Sequence, residues 1–284
     1  MSVYVSTGAF QTRKIQEILD LAYRYNIKNL ELSPGLEYDA DTIEIINSVK
    51  KDFNFLVHNY FPTPKKGFAL NLASDDENIE MQSRKMCISA VDICADLNIP
   101  YYSVHSGFCF NAGGKDLGNK SQTELRRIPL DEAKKRFFGN IKALCDYGLS
   151  RNVGILVENN VVADFANGDK GLLLGVNSED IMEILSSVSC KNLGFLMDLA
   201  HAKVSGSNYG FDVEDFIHAT RQFVKEVHVS ENNGLLDQNK KISKNCDVFN
   251  WLSYYKDVNI TIEVYDLSID EIYEQIELVN EAIS

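Results

Sequence analysis

Eight short runs of β-branched and aromatic residues recur along the chain, and behind each comes a stretch whose apolar residues return at helical spacing. No other feature restricts the fold as much. The runs read VYVST (Val3 to Thr7), NLELS (Asn29 to Ser33), FLVHN (Phe55 to Asn59), YYSVH (Tyr101 to His105), GILVEN (Gly154 to Asn159), LGFLMD (Leu193 to Asp198), EVHVS (Glu226 to Ser230) and ITIEV (Thr261 to Val264, led by Ile260). Strands that alternate with helices pair in parallel, because each crossover helix carries the chain back to start the next strand in the same direction. Eight such units close into a (β/α)8 barrel, with an open doubly wound sheet as the alternative. A dinucleotide-binding sheet would carry G-x-G-x-x-G after its first strand, and a P-loop would read G-x-x-x-x-G-K-[ST]; neither occurs. The expectation is therefore an α/β barrel in one domain over residues 1–284, and 284 residues with 45% hydrophobic content are enough to bury its core.

Thr12 reads as the N-cap of the first helix, whose stripe of Ile15, Ile18, Leu19 and Ala22 ends near Asn26. Similar stripes run through Met86, Val91 and Ile93, through Phe137, Ile141 and Leu144, through Ile181, Ile184 and Leu185, through Phe216, Ala219 and Phe223, and from Ile269 through Ile276 to Ile283. Three connections are long: Tyr60 to Asn78, Gly107 to Pro129 and Glu231 to Cys246. On a barrel such loops surround the active-site face, although some are only surface decoration. Their Asn, Lys, Asp and aromatic residues suit a polar, hydroxylated ligand.

The ionisable residues gather where the strands end. His58, His105, Glu158 and Asp198 stand at the ends of the third to sixth strands, and His228 and Glu263 lie within the seventh and eighth. A polar side chain in an otherwise apolar strand needs a partner, and in a closed barrel these ends meet at one mouth. Three carboxylates gathered there would repel one another unless a cation neutralised them. Glu158, Asp198, His228 and Glu263 are thus expected to hold one divalent metal ion. Three oxygens and one nitrogen suit Mn²⁺, Co²⁺, Zn²⁺ or Fe²⁺. Any one of the four could be an ordinary polar residue at a strand end, but four at successive strand ends carry more weight.

Asp198 and His201, three apart in MDLAHA, both reach the mouth if a helical turn starts there, which makes His201 a substrate contact or a ligand of a second metal. Glu31, in LELS, could bind a substrate hydroxyl, orient a neighbouring histidine, or serve structure alone. Asp237 is a further candidate ligand, set against its reading as a solvated turn residue. His218, in DFIHATRQF, sits mid-helix and reads as a surface or core-edge residue without a catalytic role. Neither a G-x-S-x-G elbow nor a histidine next to Cys109 supports a nucleophile, and Cys87 and Cys94 are seven apart, a packing interval.

With 28 basic and 41 acidic residues the net charge is −13, which repels phosphate backbones and anionic lipid surfaces. No nucleic acid or membrane partner is expected, and no apolar run approaches the roughly 20 residues that cross a bilayer. Six scattered cysteines without a C-x-x-C pair, and a start lacking a signal pattern, fit a cytoplasmic protein. An oligomer is compatible with the sequence, since an apolar patch on an outer helix reads equally as core or interface.

These pieces together resemble the xylose isomerase-like TIM barrel superfamily, which holds sugar isomerases and epimerases and the type-four apurinic endonucleases. The resemblance runs along nearly the whole chain through LELSPG, HNY, NLAS (Asn71 to Ser74), VHSG, LVENN, MDLAHA, HVSENNG, the D-x-N of Asp237 to Asn239, and IEV. It implies metal ligands at Glu158, Asp198, His228 and Glu263. The endonuclease branch holds three zinc ions and also uses residues matching His58, His105, His201 and Asp237. It has a histidine where this chain has Asn239, a poorer zinc ligand.

The resemblance implies isomerisation or epimerisation of a sugar or sugar derivative through an enediolate, with a small carbohydrate-like molecule as substrate. Glu158 and Glu263 are then the acid–base pair, and His58, His105, His201 and Glu31 contact the substrate. The aromatic residues Tyr60, Phe108 and Phe110 would shield the intermediate from water. Lys65, Lys66, Lys115, Arg126 and Arg127 are the loop cations that a phosphorylated substrate would need. Two other readings stand beside this one: a metal-dependent phosphoester hydrolase or lyase on the same scaffold, and a barrel that binds carbohydrate or protein without turnover.

Overall fold

The eight strands close into a parallel barrel in chain order in the computed structural model, which describes residues 2–111, 126–162 and 171–284. They are β1 (Val3–Ser6), β2 (Asn29–Leu32), β3 (Asn54–His58), β4 (Tyr101–His105), β5 (Gly154–Glu158), β6 (Leu193–Asp198), β7 (Val224–Val229) and β8 (Asn259–Ile262). Closure is made by β1 on β8, with Val3 opposite Ile260 and Val5 opposite Ile262. Because both faces of such a strand are covered, the runs are almost continuously apolar. In β5, Ile155, Leu156 and Val157 are all buried.

Helices wrap the barrel: α1 (Ile15–Arg24), α2 (Thr42–Val49), α3 (Glu77–Leu97), α4 (Leu130–Arg151), α5 (Ser178–Val188), α6 (Leu199–Tyr209), α7 (Val213–Thr220), α8 (Asp247–Trp251) and α9 (Ile269–Ile283). The stripe of α1 is buried as expected, at Ile15, Ile18, Leu19 and Ala22. Its N-cap is Lys14 rather than Thr12. Thr12 stands two residues too early, and its hydroxyl donates to Glu17 Oε2 at 2.6 Å and accepts from the Lys14 amide. In α7 the inward face is Phe216 and Ile217, because the helix stops at Thr220; Ala219 is exposed and Phe223 falls in the following 3-10 turn. α9 starts on a full capping box between Ser268 and Glu271.

Two strand ends differ from the sequence reading in a way that matters. β7 starts earlier, at Val224, while β8 ends at Ile262, so Glu263 stands one residue beyond its strand. The Glu263 amide still donates to the Val229 carbonyl at 3.0 Å, which holds it at the mouth. Phe108 and Phe110 pack ring to ring at 4.8 Å in a satellite core with Ala69, Val162, Leu172 and Val176 beneath the long loops. Phe110 is 1% exposed, so it supports the loops instead of facing the open mouth. Tyr60 packs against Phe68, and its hydroxyl accepts from the Phe68 amide. Among the described residues no helix is long and apolar enough to cross a membrane.

Candidate functional site

Parallel closure puts every strand's C-terminal end on one face, and the expected ligands converge there. Glu158 and His228 are fully buried, and Asp198 and Glu263 nearly so. Each of the four offers a ligand atom within 4.8 Å of the others. His58, His105 and Glu158 form a second such group, sharing Glu158, and Glu31, His58 and His228 a third. The imidazoles lie almost in contact: ring centroids are 4.8 Å apart for His58 and His228, 5.3 Å for His58 and His105, and 5.7 Å for His105 and His201.

The ends of β5 and β6 are fixed to each other. The Asn159 side chain accepts from the Asp198 amide at 2.8 Å and donates to the Asp198 carbonyl at 2.9 Å. Asp198 then caps α6, its Oδ1 taking the His201 amide at 2.7 Å. A helix does begin directly after Asp198, which turns His201 into the mouth. His201 Nδ1 donates to the Asn159 carbonyl at 2.9 Å, so its Nε2 faces Asp237 at 3.4 Å and Asp198 Oδ2 at 3.8 Å. His58 is oriented likewise: Ser103 donates to the Val57 carbonyl and accepts from His58 Nδ1 at 3.0 Å, leaving Nε2 3.3 Å from Glu158 Oε2.

Glu158 is the anomaly. His58, His105 and His201 nitrogens stand 3.3–3.4 Å from its oxygens, yet neither oxygen makes a hydrogen bond, and Asp198 Oδ2 has none either. Buried carboxylate oxygens are normally satisfied. Glu158 and Asp198 thus keep unbonded oxygens within a group whose ligand atoms lie within 4.8 Å of one another, so the residues present fit a divalent metal ion with oxygen and nitrogen ligands.

The electrostatics agree. Burial pushes the Glu158 carboxyl well above the usual range and Asp198 up to about 6. Glu263 is also penalised by burial, but His228, His201 and His105 outweigh that and hold it below its ordinary value. Burial lowers His58 strongly, and His105 to about 3. His201 and His228 are raised: burial opposes their charge, and the surrounding carboxylates, led by Asp198 for the first and Glu31 for the second, override it. Such opposed shifts are what acids and bases clustered in one buried place show.

The remaining expected residues are placed as follows. His105 opens to the mouth with its side chain 31% exposed, and Asp237 with 27%. Glu31 lies beneath the mouth with both oxygens engaged, Oε1 by the Ser33 hydroxyl at 2.8 Å and Oε2 by His228 Nε2 at 2.9 Å. It thus touches a histidine. His218 is exposed on α7, edge-on to Tyr254. Lys65 and Lys66 are exposed, Arg126 pairs with Asp75 at 2.6 Å, and Lys115 falls outside the described residues.

Sequence reasoning missed the asparagines that fix the mouth. Asn71 joins two loops, its carbonyl oxygen accepting from the Ala73 and Phe108 amides and its nitrogen donating to the Phe108 carbonyl. Gly107 permits that approach, since a Cβ there would lie 2.6 Å from Ala73 Cβ. Asn160 donates to the carbonyls of Ser106 and Leu174, and Asn232 to that of Ala200. Asn239, at φ 44°, donates to the Glu263 carbonyl at 3.1 Å. Tyr265 was missed as well; its exposed ring packs on Gly8 and its hydroxyl donates to Glu263 Oε1 at 3.3 Å. Only the density of asparagines after strand ends hinted at these contacts.

An uncharacterized protein of Methanocaldococcus jannaschii is 25% identical over 225 residues, which are 76% of this chain and 69% of that one. A probable endonuclease 4 of Thermosipho melanesiensis is 25% identical over 167 residues, 58% of this chain and half of its own length. Among solved structures, a D-tagatose 3-epimerase-like protein superposes with TM-score 0.74 at 20% identity over 100% of both chains. A Thermus thermophilus protein soaked with zinc chloride does so with TM-score 0.66 at 17% identity over 99% of both. At these identities the structural likeness establishes the shared fold. The sequence itself matches the xylose isomerase-like TIM barrel family over residues 13–279, and the chain belongs to that family.

Proposed function

We propose that the chain is a divalent-metal-dependent epimerase or isomerase of a small, hydroxylated carbonyl compound of the sugar class. The observation that carries this reading is the fully buried Glu158, whose two oxygens lack hydrogen bonds although three histidines surround them. Glu158, Asp198, His228 and Glu263 would hold the ion. The bound ion would supply Lewis acidity at a substrate carbonyl and hydroxyl, dispersing the charge of an enediolate. Glu158 and Glu263 present oxygens within 4.8 Å of each other, a span across which one carboxylate removes the proton beside the carbonyl and the other returns it. His201 and the more open His105 would donate to substrate hydroxyls. The sugar epimerases among the chain's structural neighbours are in keeping with this chemistry.

The test is incubation with a panel of ketoses in deuterium oxide with Mn²⁺, Co²⁺ or Zn²⁺, following deuterium uptake beside the carbonyl by NMR. Exchange by the wild type and none by Glu158→Gln or Glu263→Gln is expected; near-wild-type exchange by either variant would sink the assignment.

A second reading is favoured by the group His58, His105 and Glu158, which shares a ligand with the first and could seat a second ion for phosphoester hydrolysis. Against it, Asn239 is committed to the Glu263 carbonyl, and the −13 charge opposes a DNA substrate. Elemental analysis decides: one metal per chain supports isomerisation, two or three support hydrolysis. The six cysteines form no disulfide among the described residues, and four of them are buried; both suit a reducing compartment, so the cytoplasm is the proposed location.

A further inference from the structure

His228 meets a carboxylate at each ring nitrogen. Nδ1 lies 3.0 Å from Glu263 Oε2 and 4.0 Å from Glu158 Oε1, whereas Nε2 lies 2.9 Å from Glu31 Oε2. The Nδ1 side is the mouth, and the Nε2 side is the barrel interior.

Glu31 cannot turn toward the mouth, because its other oxygen is occupied. Ser33 Oγ donates to Oε1 at 2.8 Å; that hydroxyl accepts from Ser6 Oγ at 3.0 Å, and the Ser33 amide donates to Thr7 Oγ1 at 3.0 Å. A relay of fixed side chains therefore runs from β1 through β2 to β7. Glu226 adds a second interior carboxylate, its Oε1 3.7 Å from Nε2 and held by the Thr261 hydroxyl at 2.7 Å. A neutral imidazole that donates its one N–H to an anchored carboxylate has its lone pair on the other nitrogen and is a more basic ligand there.

From this geometry we infer that Glu31 is a positioning residue that keeps the His228 proton on Nε2, so that Nδ1 is the nitrogen offered to a metal. The inference rests on the metal-binding reading above. It gives Glu31 no contact with substrate. It also sets the position of the ion, since the group of Glu31, His58 and His228 would otherwise compete for it from the interior side.

The test uses the full chain labelled with ¹⁵N-histidine, loaded with Zn²⁺, together with chelator competition on Glu31→Gln, Glu31→Ala and Ser33→Ala. In the wild type, long-range ¹H–¹⁵N spectra should show the His228 proton on Nε2 and zinc on Nδ1. Both Glu31 variants should bind Zn²⁺ about 10–100-fold more weakly. Ser33→Ala should lose less, in the same direction. Zinc on Nε2 in the wild type, or unchanged affinity in the isosteric Glu31→Gln with its fold intact by circular dichroism, would overturn the role of Glu31. A wild type that takes up no Zn²⁺ would instead overturn the metal-binding reading itself, and this inference with it.

Discussion

Glu31 at the end of β2 and Glu158 at the end of β5 are glutamates of the same barrel, both fully buried and both facing histidines, and they are satisfied in opposite ways. Each Glu31 oxygen has a hydrogen-bond partner; neither Glu158 oxygen has one. Burial pushes both carboxyls up, Glu31 to about 8 and Glu158 far above its ordinary value. The β2 side answers the cost of burial with serine hydroxyls and an imidazole, while the β5 side leaves both oxygens unbonded, as the proposed metal site would require. Burial and residue type are the same in the two regions, so what separates a support from a ligand is where the remaining lone pairs point.

The largest effect that could break this contrast lies at Glu158. Glu158→Gln should lower turnover by about 100–10,000-fold, the range for loss of an acid–base group, as read from steady-state rates on an active ketose. Its metal-free melting temperature should stay close to wild type, because no hydrogen bond is removed. Chelation should also abolish activity. Restoring the metal at 100 times its Kd should raise stability by about 2.7 kcal/mol, seen as a higher melting temperature.

A smaller effect is the pH dependence of metal uptake. Burial raises the Glu158 carboxyl, and neighbouring carboxylates raise His201 and His228 against burial, so each binds its proton more tightly in the folded, metal-free chain than it would in water. Metal affinity should therefore rise with pH, and calorimetry in buffers of different ionisation enthalpy should detect proton release; affinity independent of pH would contradict the shifts. Smallest of all, Ser268→Ala, which removes the cap of α9, should cost about 1 kcal/mol in denaturant unfolding and leave metal affinity unchanged.

How much was legible in the sequence follows from what each feature depends on. The barrel was readable because strands buried on both faces are apolar runs, and their alternation with helical stripes leaves little freedom of topology. The convergence of Glu158, Asp198, His228 and Glu263 followed from parallel strands ending on one face. Partners set by loop paths were not readable. Nothing in NLAS reveals that Asn71 joins two loops, and nothing in IEVY places the Tyr265 hydroxyl on Glu263. Thr12 failed as a cap because position in the backbone, rather than residue type, decides which hydroxyl meets the first free amides. Phe108 and Phe110 went to a satellite core, since apolar rings in long loops gain more from covering each other than from facing water.

The reciprocal bonds between Asn159 and the Asp198 backbone have a consequence for adaptability. One carboxamide clamps both peptide groups of Asp198, so the backbones that carry Asp198 and Glu158 move together or not at all. In the proposed metal site, ions of different radius would then be accommodated by rotation of carboxylates on a stationary frame. Preference among metals would accordingly be a matter of side-chain torsions, and substituting Asn159 would loosen that preference before it loosened binding.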